Sequence, residues 1–199
     1  MPVERVIGGC AVLGVLGFLA AVIAEHAIDP SLDPATHQIS EYVHGPAGAM
    51  MTAGFAAWAI SLAASGALAS LRLRARWVAA ALALAAIGML ITACFATQTI
   101  AGRLPPGVSL TWSGRLHDIG SGTTTVSLFA AALLSLRAIR ERQFRRRTSA
   151  LLIFAVCCDV ALLAVGDEVG GVRERLLILA GCLWQLMFLS ATRRQPNTD

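Results

Sequence analysis

Residues 6–24 read VIGGCAVLGVLGFLAAVIA, nineteen residues without a charged side chain. A helix needs about 20 mostly apolar residues to cross a bilayer. Similar windows lie at about 47–70, 77–97, 119–136, 149–166 and 176–191, and the six take up most of the 199 residues. Mean hydropathy is +0.69 and 14% of residues are charged, against about 25% in a soluble domain. A chain so apolar cannot present a wet surface all round. The runs are rich in Ala, Leu, Val and Gly and do not alternate. That favours helices over barrel strands, which alternate over segments of about ten residues. The expected fold is all-α: a polytopic membrane protein, a single six-transmembrane-helix bundle over 1–199 with short loops. Small residues such as Gly8, Gly14, Gly17, Ala56, Ala63 and Gly66 would let helices approach closely.

The first run ends in small residues, as a cleaved secretory signal does. Its apolar stretch is longer than the usual core of about 7–15 residues, and the charge before it is only Arg5 beside Glu4. It therefore reads as a span. The five cysteines, Cys10, Cys94, Cys157, Cys158 and Cys182, all fall inside predicted spans without metal-site spacing. They read as buried small hydrophobes, not as a disulfide frame.

Charge placement sets the orientation. All sixteen basic residues are arginine. With the amino terminus in the cytoplasm, twelve fall inside: Arg5, Arg72, Arg74, Arg76, Arg137, Arg140, Arg142, Arg145, Arg146, Arg147, Arg193 and Arg194. Four, Arg103, Arg115, Arg173 and Arg175, fall outside. Short arginine-rich loops stay inside, so both termini are expected in the cytoplasm of a cell with the protein in its plasma membrane. Acidic residues partition oppositely: Glu25, Asp29, Asp33, Glu41, Asp118, Asp167, Glu168 and Glu174 outside, Glu4, Glu141 and Asp199 inside. All four histidines are outside. The run RAIRERQFRRRTS (137–149) reads as an orientation signal and a solvated helix end.

The outer cluster holds the candidate chemistry. The first outer loop opens with turn signals, IDPSLDPAT, and continues HQISEYVHGP (37–46). As an α-helix, His37, Ser40, Glu41 and His44 would share one face and Ile39, Tyr42 and Val43 another. That predicts a short amphipathic helix over the bundle mouth, closed by Gly45. Glu41 and His44 also make one Glu-x-x-His pair, where di-iron bundles need two pairs and further carboxylates. A divalent metal held by some of His37, Glu41, His44 and His117 is one reading, since imidazole and carboxylate suit zinc; a polar interfacial helix without ligand is the other. His117 and Asp118 stand where the fourth span starts, in WSGRLHDIGSGTTTVSLF (112–129). A histidine beside carboxylates at a low-dielectric rim can act as acid or base near neutral pH; a capped helix end is the alternative. Glu174, between Arg173 and Arg175, reads as an ion pair at the mouth or as part of a site.

Asp159 lies near the middle of the fifth predicted span, in AVCCDVALL. An ionisable side chain at that depth costs about 2.5–3.5 kcal/mol on insertion scales. With no arginine or lysine inside a span, its candidate partners are Gln185, Thr92 and Ser127. It reads either as a proton- or cation-handling group or as an interhelical hydrogen bond.

Three stretches carry a resemblance: ISEYVHGPAGAMMTAGF (39–55), RLHDIGS (115–121) and GVRERLLILAGCLWQL (171–186). They resemble the domain-of-unknown-function family numbered 998, over nearly the whole chain. The resemblance implies a six-helix integral membrane protein of bacterial or archaeal type, and no activity. The positions that match its motifs are Ser40, Glu41, His117, Asp118, Gly171, Glu174 and Arg175.

Four functions remain open. The first is an enzyme acting at headgroup level on a lipid or lipophilic metabolite, with His117 as base or ligand, Glu41 and Asp118 as carboxylate partners, Ser40 as contact or nucleophile, and Glu174 nearby. The second is a small transporter or ion pathway through Asp159. The third is a haem protein with His44 and His117 as axial ligands. The fourth is a non-catalytic assembly factor. No motif points to nucleic acid; the bilayer is the expected partner.

Overall fold

The computed structural model describes residues 2–195, in which six long helices carry the chain and no strand forms. They are α1 (Pro2–Ile28), α2 (Gly48–Leu73), α3 (Arg76–Cys94), α4 (Trp112–Ala138), α5 (Arg142–Val165) and α6 (Gly170–Arg194). Asp199 lies outside the described residues. All six are long and apolar enough to cross a membrane, so the chain is an all-α polytopic bundle.

The helices outrun the apolar windows that announce them. α4 starts at Trp112 and α6 at Gly170, six or seven residues before the apolar window in each case. A helix of 27 residues is about 40 Å long at 1.5 Å per residue, whereas the hydrocarbon core is about 30 Å thick. The excess carries polar side chains at headgroup depth: Arg145 to Arg147 in the first turns of α5, and His117 and Asp118 in α4. The Thr111 hydroxyl caps α4 by accepting from the Gly114 amide at 3.4 Å.

Consecutive helices from α1 to α4 pack side by side, and α5 packs on α6, which closes back on α1 and α2. The glycines explain the tight pairs. A Cβ added at Gly88 on α3 would stand 2.6 Å from the Gly120 carbonyl of α4, and one at Gly120 would stand 2.7 Å from the Gly88 carbonyl. Of the small residues singled out from sequence, Gly14 has this role against Ala57 and Ser61 of α2. α4 and α5 pack far less closely than the consecutive pairs from α1 to α4, and the cavity lies along this looser seam.

Inside the bundle, hydrogen bonds supplement apolar packing, as expected where lipid supplies no hydrophobic drive. Gln185 of α6 accepts from Trp58 Nε1 at 2.9 Å and donates to the Ser61 and Ser65 hydroxyls at 2.8 and 2.9 Å. Ser61 in turn donates to the Ala11 carbonyl. One fully buried amide thus joins α6 to α2 and, through Ser61, to α1. Phe18 stacks on Trp58 beside it, with ring centroids 4.5 Å apart.

Two expectations fail here. Only Cys182 of the five cysteines is buried; Cys10, Cys94 and Cys157 are exposed and Cys158 is half-buried. Apolar residues on the outside of a bundle in lipid need no core to hide in. Asp159 has an arginine partner after all, for Arg173 Nε donates to its Oδ1 at 2.6 Å. Arg173 belongs to the first turn of α6, and its long side chain reaches back along α5. Two of the three sequence-based partners are occupied elsewhere: Gln185 as above, and Thr92 with the Gly88 carbonyl.

Candidate functional site

The segment 36–45 folds as a 3-10 helix over Ile39–His44, not as an α-helix. Its turn of about three residues abolishes the polar stripe expected from α spacing. Ile39, Ser40, Glu41 and Tyr42 are all buried, polar and apolar alike, and His44 is exposed. Gly45 closes the helix by donating its amide to the Tyr42 carbonyl at 2.9 Å. This rim helix sits on the end of the bundle opposite the clustered arginines, and three acidic or basic side chains pin it.

Glu41 is the first pin. Its carboxylate accepts from the Gln38 amide at 3.1 Å, the Ala101 amide at 2.9 Å and the Gly102 amide at 3.1 Å. Ala101 and Gly102 have φ of +49° and +73°. Successive residues of that kind turn both amides to one side and make an anion nest. Here the anion is the protein's own carboxylate, with His37 Nε2 4.0 Å away. Glu174 is the second pin, its Oε2 accepting from the Ile39 amide at 2.6 Å. It makes this backbone bond in place of the ion pair expected from its neighbours.

Arg175 is the third. Its Nη1 donates to the His37 and Gly171 carbonyls at 2.6 and 3.0 Å, and its Nε to His26 Nε2 at 3.0 Å. An arginine only donates, so His26 Nε2 is the acceptor and Nδ1 carries the proton, which it donates to the Val22 carbonyl at 2.6 Å. The guanidinium also lies over Tyr42, 6.0 Å from the ring centre. Burial pushes the Tyr42 phenol above its usual range, against the pull of Arg175, and keeps it protonated. Close by, Glu25 of α1 is wholly buried with both carboxylate oxygens unpartnered, as is Arg175 Nη2. From the sequence, Arg175 stood out only as a position matching the family's motifs and Glu25 only as one of the outer acids.

His117 is 3% exposed. Its Nδ1 stands 2.7 Å from the Phe95 carbonyl, which can only accept. Nδ1 is therefore the protonated nitrogen, and Nε2 of the neutral ring is a lone-pair acceptor. His44 is held similarly, by Nε2 on the Thr97 carbonyl at 2.8 Å, and His37 Nδ1 meets the Thr36 hydroxyl at 3.0 Å. Among the described residues no three His, Cys, Asp or Glu side chains come together as a metal group. His37 and His44 are turned to separate partners.

Ser40, His117, Asp118 and Glu174 line one cavity of about 540 Å³ between α4, α5 and α6. Glu41 is not among its lining residues; it fixes the rim helix that carries Ser40. Gln38 and Arg173 also face the polar end. Away from that end the walls turn apolar, with Phe55, Trp58, Leu128, Leu151, Ile178 and Trp184. Thr148, 0% exposed and with an unpartnered hydroxyl, marks the far end. From Asp118 to Ala132 the α4 wall is about 21 Å long. Val126 and Phe129 line the cavity and are 70% and 39% exposed on the bundle surface. The cavity is therefore a crevice open sideways along the α4–α5 seam, beside the apolar middle of α4. No hydrogen bond joins Ser40 to His117 among the described residues.

Six membrane-length helices with a laterally open crevice define the class: an integral membrane protein of the polytopic helical kind. The chain belongs to the family described as protein of unknown function (DUF998), whose model matches residues 12–191. No curated protein and no solved structure matches it.

Proposed function

We propose that the protein takes a lipid or lipophilic metabolite into the α4–α5 crevice, with its polar end at Ser40, His117, Asp118 and Glu174, and that His117 exchanges a proton with that end. One observation carries the reading: four of the five side chains picked as catalytic candidates line a single crevice that is polar at one end and apolar along its length. Its opening beside the apolar middle of α4 suits a molecule that arrives from the bilayer. His117 Nε2, a neutral acceptor at a buried wall, suits a base. The polar end belongs to the outer face and both termini to the cytoplasm, on the arginine bias. The ion pair between Asp159 and Arg173 counts against an Asp159 pathway, because a neutralised carboxylate is a poor carrier.

The test is crosslinking in nanodiscs with a lipid carrying a diazirine on its acyl chain, mapped by mass spectrometry. Labels are expected on α4 around Val126 and on α5 around Leu151 and Leu152. Ala155→Trp and Val126→Trp narrow the crevice from opposite walls, and each should remove most of that labelling. Labelling that is spread evenly over all lipid-facing helices, or that is unchanged in both variants, overturns the proposal.

A further inference from the structure

The polar end of the crevice is rich in acceptors and short of uncompensated positive charge, and this selects among headgroups. Its nest amides and its one cation are already paired with the protein's own carboxylates. The Ala101–Gly102 nest holds Glu41. The Ile39 amide holds Glu174. Arg173, the arginine lining the crevice, has its charge paired with Asp159 through Nε at 2.6 Å, and keeps its Nη hydrogens as donors. His117 Nδ1 is spent on the Phe95 carbonyl. The chain has no lysine to add. What remains towards the crevice is His117 Nε2, the Asp118 carboxylate and Glu174 Oε1, with the Ser40 hydroxyl and the Gln38 amide able to serve either way. His117 is 97% buried, and no hydrogen bond engages its Nε2 among the described residues, so the wall itself supplies one buried acceptor beside the exposed Asp118 carboxylate.

We infer that the occupant is a lipid whose headgroup ends in a primary amine. This rests on the lipid reading above. An ammonium brings three donors and a positive charge to Asp118, Glu174 and His117 Nε2. A phosphate or carboxylate terminus would meet the Asp118 carboxylate, with the one crevice arginine already paired to Asp159. The apolar length of the crevice selects a lipid over a free amine.

The experiment compares three diazirine lipids with identical chains and different heads: ethanolamine, glycerol and a neutral hexose. The ethanolamine probe should label the crevice about tenfold more than the other two, the size of one charge-assisted hydrogen bond. Asp118→Asn, at an exposed helix position, should reduce that preference severalfold, bringing ethanolamine-probe labelling of the crevice towards that of the glycerol probe. Soluble phosphoethanolamine in excess should not compete. Equal crevice labelling by all three probes, or preference for the hexose or glycerol head, overturns the amine assignment and leaves the crevice reading intact. Full competition by soluble phosphoethanolamine overturns the lipid part. Labelling of the crevice by none of the probes means that the proposed function itself fails.

Discussion

Glu41 has three amides on its carboxylate, and Arg175 has a carbonyl, a histidine ring and an aromatic face around its guanidinium. Both side chains hold the rim helix in place. Glu41→Gln would turn one amide group towards the donors of the nest and remove the charge they converge on. Hydrogen bonds to charged groups contribute about 1.5–3 kcal/mol, so a loss of about 2 kcal/mol is expected, seen as a lower melting temperature in a mild detergent. Arg175→Lys is expected to cost a similar amount, because a lysine cannot reach His37 and His26 from two sides of one plane. His117 was legible in the sequence as a candidate, because a histidine at a helix start between apolar runs is conspicuous. The fate of Glu41 was not. Its partners lie 60 residues away in a turn set by two positive-φ residues, a geometry no local pattern reports.

Two contacts between helices can be tested in the same way. Gly88→Ala would drive a methyl into the Gly120 backbone and Thr124. Overpacking of this kind costs about 1–3 kcal/mol, whereas Gly122→Ala, with open space at its Cβ, should be neutral. Gln185→Leu strands the Trp58 indole N–H and frees two serine hydroxyls; about 1 kcal/mol is expected, the scale of interhelical hydrogen bonds in membranes. Thermal unfolding of the purified variants checks all three. The six helices themselves were readable from apolar length alone. Their true ends were not, since backbone hydrogen bonding continues past the last apolar residue. The loop helix was misjudged because its period is three residues, and a residue spacing tested against α geometry assigns the wrong faces. Asp159 was misjudged for a related reason: a loop arginine was counted as outside the span, although its side chain is long enough to enter it.

At the scale of the molecule, the arginine-rich end and the end bearing the histidines are distinct, and reporter fusions can assign each to a side. Fusions at residue 44 and residue 145 are expected to report opposite compartments, with 145 cytoplasmic. The same side for both would invalidate the topology. That two-ended charge pattern was plain in the sequence, because loops of one sign repeat at every second connection. The crevice was not, for it depends on how closely each pair of helices packs. Nothing in the sequences of α4 and α5 states that they pack more loosely than the earlier pairs.

The looser α4–α5 seam has a practical side. If the slot, some 20 Å long, takes acyl chains as proposed, it also takes other alkyl chains of suitable bore, including the tails of the surfactant used to extract the protein. Maltoside or fos-choline micelles at millimolar strength would then act as inhibitors in every assay. A preparation stripped with them would read as inert with no fault in its sequence. Activity screens on this protein therefore belong in native membrane patches, with surfactant titrated back as a deliberate variable.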